Sequence, residues 1–116
     1  VDHVTKYMGG KGTTIELIKG KEPSITSPTD SRAWKTLKET AQEYSKTNMI
    51  VPYLLVACSD AEHYEPVCSN IYRYSPFSVP IKLMLTTHST NEHCPVNQLE
   101  QGVTFFKRYA RKMTSE

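Results

Sequence analysis

Two polar loops carry the side chains of this chain that are best suited to metal binding or proton transfer. The first loop spans residues 58–66 and the second spans residues 87–93. Imidazole and carboxylate groups are the ones that proteins use to bind zinc and to act as general acids and bases. Together the two loops hold six candidate side chains: Asp60, Glu62, His63, His88, Asn91 and Glu92.

The spacing of these residues excludes several familiar sites. His88 and His93 do not have the i, i+4 separation of a helical zinc pair. Ser59, Asp60 and His63 are too close in sequence for a triad, whose members usually converge from distant loops. The chain has no G-x-S-x-G elbow, phosphate-binding loop or C-x-x-C motif. On pattern alone, His88 is interpreted as an ordinary surface or hydrogen-bonded histidine rather than a metal ligand. Asp60, Glu62 and Glu65 are interpreted as ordinary loop carboxylates.

Apolar periodicity predicts two helices that would position these loops. In the first, an apolar face recurs at steps of three and four from Trp34 to Tyr44, with Thr29 or Asp30 as the N-cap and an end near Lys46. A second helical stripe closes the chain. It consists of Val96, Leu99, Val103, Phe106, Ala110 and Met113. The Trp34 stripe and the Phe105/Phe106 pair are interpreted as core packing.

Four other segments have the composition of strands. They are residues 13–18, 49–58, 71–74 and part of 79–87. The nearly unbroken apolar run at 49–58 is typical of a strand covered on both faces, although Pro52 favours an edge or a strand start. Strands alternating with helices predict an α/β fold, as part of a mixed, mostly parallel sheet flanked by helices.

The length, 116 residues, allows one small domain, and the first residues have no initiator Met or signal peptide. We therefore interpret the start as a cut edge of something longer. Residues 19–28 hold Gly20, Pro23 and Pro28 and form the best candidate for a linker at a domain boundary. Proline biases both itself and the preceding residue toward extended backbone.

The net charge limits the classes of partner to be expected, and the cysteine content indicates the compartment. The net charge of +2 predicts no nucleic-acid partner, which would need a concentrated positive face. No apolar run approaches the roughly 20 residues of a membrane span. The chain has three cysteines, Cys58, Cys68 and Cys94. Because an odd number cannot all pair within one chain, we expect free thiols and a reducing, cytoplasmic location.

Several motifs in register resemble one family. They are P-Y-L at 52–54, C-S-D-A-E-H-Y at 58–64, N-I-Y-R-Y-S-P at 70–76, H-S-T-N-E-H at 88–93 and E-Q-G at 100–102. This order and spacing are similar to the C-terminal part of the zinc-dependent aminoacylase and carboxypeptidase family, peptidase family M twenty, in its carboxypeptidase S-like branch. The corresponding family motifs are P-Y-L, G-T-D-S-R-H-Y, N-x-Y-R-F-S-P, H-G-T-N-E-R and E-Q-G.

The resemblance implies a catalytic α/β domain with two zinc ions, interrupted by a lid domain that often mediates a homodimer. Residues 1–18 would end the lid, 19–28 would be the return linker, and 29–116 would be the C-terminal part of the catalytic domain. His88 matches a zinc ligand of the family. Asp60, Glu62 and His63 would face the substrate, with Asn91 and Glu92 supporting the metal loop. The substrate would be a small peptide or an N-acyl amino acid.

The chain departs from the family at informative positions. The arginine of G-T-D-S-R, expected to hold the substrate carboxylate, falls on Glu62, and the arginine of N-E-R falls on His93. An anion in place of a bidentate anion binder puts carboxylate recognition in doubt. The other zinc ligands and the general base of the family lie upstream of the lid, so the missing N-terminal part is an expected partner and this chain alone is expected to be inactive.

Three interpretations follow. The chain is a C-terminal fragment of a zinc-dependent amide hydrolase, or a catalytically degenerate member that acts as a binding or structural module, or a small independent α/β binding domain whose resemblance is accidental. Upstream metal ligands separate the first two interpretations, and a stable monomeric fold of the chain alone would favour the third.

Overall fold

A computed structural model describes residues 1–10, 12–45, 49–57 and 59–115. Its regular structure is helical. In chain order, the elements are α1 (Asp2–Met8), α2 (Arg32–Tyr44), a 3-10 helix (Asp60–Tyr64), α3 (Ile81–Met84) and α4 (Val96–Thr114). Among these described helices, none combines the length and apolarity that crossing a membrane requires.

The predicted α/β fold is wrong, because the described residues contain no β-strand. Residues 13–18, 49–57 and 71–74 have irregular backbone, and part of the expected strand at 79–87 is α3. A strand requires its backbone N–H and C=O groups to pair with a neighbouring strand, and apolar composition alone does not supply that neighbour. Cys58, the last residue of one predicted strand, lies outside the described residues.

Helix α2 confirms the first periodic stripe and corrects its start. The N-cap is Ser31, whose hydroxyl oxygen accepts from the Trp34 backbone N–H at 3.0 Å. The predicted caps Thr29 and Asp30 therefore lie just outside the helix. Leu37 and Ala41 are buried, as the stripe required, because their spacing of four places them on one face.

Helix α4 confirms the second helix, but its buried face differs from the predicted one. The buried residues of α4 are Gln98, Gly102 and Phe105. Phe106, which the predicted stripe placed inward, is 48% exposed. One position along a helix rotates a side chain by about 100°, so the stripe was wrong by one residue.

Phe105 is the centre of a small core between α2 and α4. Its ring centroid lies 5.0 Å from that of Tyr74, in a stacked arrangement, and 5.6 Å from that of Tyr44, edge-on. Leu37 and Ala41 complete the buried apolar cluster. The radius of gyration is 19.3 Å, against roughly 13 Å for a compact 100-residue domain. Much of the chain therefore lies away from this core.

Gly102 permits a close contact between α4 and the segment before α3. A Cβ atom at this position would lie 2.4 Å from Cε1 of Phe77. Nearby, the side-chain oxygen of Gln98 accepts from the Ser78 backbone N–H at 2.7 Å. This glycine belongs to the E-Q-G motif, and the packing of Phe77 gives that motif a physical reason.

Candidate functional site

The first polar loop folds around the 3-10 helix Asp60–Tyr64. Asp60 opens this turn and is exposed to solvent. The side chain of His63 is 73% exposed, and its Nε2 lies 3.9 Å from Oε1 of Glu62. The loop is anchored to the following segment by Arg73, whose Nε donates to the hydroxyl oxygen of Ser59 at 3.0 Å.

Lys21, from the predicted linker, carries a positive charge to this loop. Its Nζ lies 2.9 Å from Oε2 of Glu65 and 3.6 Å from Oε2 of Glu62. The hydrogen bond to Glu65 raises the pKa of the Lys21 ammonium, and the nearby charges of both carboxylates add to it. Sequence reasoning placed Glu62 at the loop but missed Lys21, because 41 residues separate it from Glu62.

Glu65 accepts from donors on both sides. The Ser24 hydroxyl donates to its Oε1, and Nη2 of Arg73 lies 3.9 Å from the same oxygen. The hydrogen bond from Ser24, followed by that from Lys21, lowers the pKa of the Glu65 carboxyl. The carboxylate therefore joins the linker to the first polar loop.

The second polar loop follows α3 as a series of tight turns. His88 adopts a left-handed backbone conformation with φ of 65°, which few residues other than glycine adopt. Its backbone N–H donates to Oε2 of Glu92 at 2.8 Å, and the Glu92 N–H donates back to the Ser89 carbonyl at 3.2 Å. Nδ1 of His93 lies 2.6 Å from the Asn91 carbonyl oxygen. Glu92 thus holds the turn that presents His88.

The two loops remain separate in the described part of the chain. The polar contacts of 87–93 stay within that loop and the turn just before it at 84–86, whereas those of 59–66 involve the linker and Arg73. Among all the residues that the structure describes, no three His, Cys, Asp or Glu side chains meet in a way that could hold a metal ion. His88 is exposed and its imidazole suits zinc, but the residues present do not by themselves form a zinc site.

Two cavities flank the first loop. One, of about 310 Å³, has the aromatic side chains of Tyr72, Tyr74 and Tyr109 in its lining. Burial raises the pKa of the Tyr74 and Tyr109 phenols. The other, of about 250 Å³, lies between the linker and residues 65–73 and includes Lys21 and Arg73 in its lining. Cys68 has a free thiol and lines both cavities. Cys94 also has a free thiol and is exposed to solvent.

The model of Peptidase family M20/M25/M40 matches residues 5–112 of this chain. The chain belongs to this family. It is 30% identical over 97 residues to the probable carboxypeptidase S-like 1 of Dictyostelium discoideum. The aligned region covers 82% of this chain and 20% of that relative. The resemblance to the family that these motifs indicated is therefore confirmed.

Two further M20 relatives are informative by name. Carboxypeptidase S of Saccharomyces cerevisiae is 27% identical, covering 82% of this chain and 18% of its own length. The N-fatty-acyl-amino acid synthase/hydrolase of Mus musculus is 26% identical, covering 78% of this chain and 19% of its own length. The chain thus spans about a fifth of the length of these relatives. No solved structure matches it.

Proposed function

We propose that this chain is a C-terminal portion of a zinc-dependent M20 hydrolase that cleaves an amide bond in a small peptide or an N-acyl amino acid. The family match over residues 5–112 is the observation that carries the proposal. The names of the carboxypeptidase and acyl-amino acid hydrolase relatives support the substrate class.

His88 is the proposed zinc ligand that this chain contributes. Its imidazole is exposed, and the bond from its backbone N–H to Glu92 fixes the turn without using the ring. Since three or more protein ligands surround each zinc in a hydrolytic centre, the remaining ligands of the two ions would come from outside this chain. The isolated chain is accordingly expected to have no hydrolase activity.

The first polar loop is the proposed substrate side. Asp60 and His63 are exposed there, and Glu62 is half-buried beside Lys21. Asn91 and Glu92 would support the metal loop. The proposed division of the chain keeps residues 1–18 as the end of a lid that forms a homodimer, 19–28 as the linker and 29–116 as catalytic domain. The missing N-terminal part would be the direct partner of this chain.

A degenerate member that acts as a binding or structural module is the second candidate. The observation that favours it is the state of Glu62, a carboxylate at the position of the family arginine and already paired with Lys21. Such a protein would keep the family sequence pattern without turnover.

The deciding experiment uses the full-length natural protein. Zinc content and hydrolysis of N-acyl amino acids and dipeptides are measured for the wild type, for His88→Ala and for the matched control His93→Ala, an exposed histidine of the same loop. We expect His88→Ala to lose bound zinc and His93→Ala to retain it. The loss of turnover in His88→Ala should exceed the roughly 10–100-fold that is typical when a residue hydrogen-bonded to a metal ligand is replaced.

Two outcomes would contradict parts of the proposal. Unchanged zinc content and turnover in His88→Ala would refute the role of His88. A full-length protein that binds no zinc and hydrolyses none of these amides would support the binding or structural module instead.

A further inference from the structure

The Glu65 carboxylate is surrounded by donors from two distant segments of the chain. Lys21 and Ser24 approach from the linker, with Lys21 Nζ at 2.9 Å from Oε2, and Arg73 approaches from the other side, with Nη2 at 3.9 Å from Oε1. Proteins use such cationic and hydroxyl donors to bind the carboxylate groups of ligands. Glu65 thus occupies an arrangement suited to an anion.

These groups line the cavity of about 250 Å³ between the linker and residues 65–73. Its wall also carries apolar side chains, those of Pro23, Ile25 and Ile71. A concave surface that combines apolar walls with a few convergent polar groups is the usual form of a small-molecule site. The chemistry of this wall suits a small carboxylate with a short apolar tail.

The wall of this cavity is held together independently of Glu65. The Ile71 backbone N–H donates to the Ser27 hydroxyl oxygen at 2.9 Å, and the same hydroxyl lies 2.9 Å from the Ile71 carbonyl oxygen, to which it donates. Farther along, the Ser31 hydroxyl lies 2.6 Å from the Tyr72 hydroxyl. The linker can therefore stay docked when the Glu65 carboxylate leaves its donors.

We propose that Lys21, Ser24 and Arg73 form a binding site for a small carboxylate, which Glu65 occupies as an internal competitor when no ligand is bound. The side chains of Glu65 and Lys21 are 25% and 47% exposed, so water and ligands can reach the pair. Exposed ion pairs are individually weak, which allows an external carboxylate to exchange with Glu65. Glu62, 3.6 Å from Lys21, remains as a more distant neighbour.

The test measures the affinity of the 116-residue chain for isovalerate by NMR titration. Isovaleramide is its uncharged counterpart. The key variant is Glu65→Gln, which keeps the size of the side chain and removes its charge. Isovalerate binds only to the fraction of molecules whose donors are free of Glu65. If Glu65 occupies them about nine-tenths of the time, its removal should tighten isovalerate binding about tenfold. Lys21→Met in that background should reverse the gain, and isovaleramide should not bind.

Glu43 offers a matched control. Its carboxylate also lies between two cations, at 2.5 Å from Arg108 Nε and 2.8 Å from Lys112 Nζ, but it lines neither of the two cavities described above. Glu43→Gln should leave isovalerate binding unchanged. Equal gains in the two variants, no gain in Glu65→Gln, or equal binding of isovaleramide would each overturn the proposal.

A second arm covers a variant that does not fold. If Glu65→Gln loses its helical circular dichroism, Lys21→Met is compared with the wild type, in which it should weaken isovalerate binding. Unchanged binding in that variant would overturn the proposal. None of these measurements involves zinc or hydrolysis, so their failure is distinct from a failure of the proposed hydrolase function.

Discussion

The Glu92 carboxylate accepts a hydrogen bond from the His88 backbone N–H at 2.8 Å, closing a turn in which His88 has a φ of 65°. The residue proposed to bind zinc is therefore held in a left-handed conformation by a side chain four positions later. A hydrogen bond to a charged group is stronger than one between neutral groups. Glu92 acts on His88 through the backbone and leaves the imidazole available.

Replacing Glu92 by Ala should release this turn. Because the bond is exposed, we expect its loss to cost about 1 kcal/mol, which would speed hydrogen exchange at the His88 amide about fivefold. Exchange measured by NMR on the 116-residue chain tests this. Asn91→Ala is the control, since its backbone carbonyl remains in place for His93. Equal protection in Glu92→Ala and wild type would show that the bond does not form in solution.

The position of Phe105 predicts a sharp contrast between two adjacent aromatic residues. Phe105 is fully buried between Tyr44 and Tyr74, whereas Phe106 is 48% exposed. Phe105→Ala should destabilise the chain by about 3–5 kcal/mol and Phe106→Ala by less than about 1 kcal/mol. Urea unfolding followed by circular dichroism measures both. The reverse ranking would restore the face of α4 that periodicity predicted.

Gly102→Ala should destabilise the chain although alanine favours helix. A Cβ atom there would lie 2.4 Å from the Phe77 ring, and overpacking of this kind typically costs about 1–3 kcal/mol. The better helix propensity of alanine returns up to about 1 kcal/mol. The thermal midpoint should fall for Gly102→Ala alone. In a Phe77→Ala background the same change should be neutral or stabilising, and a drop there would argue against the contact.

Glu43 should make stability depend on pH in the acidic range. The hydrogen bond from Lys112, followed by that from Arg108, lowers the pKa of the Glu43 carboxyl below its ordinary 4.5. A lowered folded-state pKa means that the stabilisation is present above the ordinary value and is lost as the pH falls through the lowered one. Since the pair is exposed, the effect should stay under about 1 kcal/mol.

The measurement for Glu43 compares urea midpoints of wild type and Glu43→Gln across this acidic range. The wild type should be more stable near neutral pH, and the difference should vanish below the lowered pKa. Salt at about 1 M should also reduce it, because it screens exposed charges. A difference that persists at low pH would show that Glu43 acts through packing.

The candidate site illustrates how far residue patterns reach. The motifs placed His88 and Glu92 in one loop, and the structure joins them by a direct bond. The approach of Lys21 to Glu62 and Glu65 was not predictable, because no local period relates residues so far apart in sequence. Such contacts depend on where the linker crosses the loop, which is a tertiary property.

The sequence by itself determined the existence of α2 and α4, since an apolar repeat near 3.6 residues is a local property that only a helix can bury on one side. It also carried the family motifs. The tertiary structure decided which face of α4 is buried, because Phe105 and Phe106 are equally apolar and only the position of α2, Tyr44 and Tyr74 distinguishes them. It also decided against strands: an apolar run such as 49–57 becomes a strand only beside a partner that pairs with its backbone.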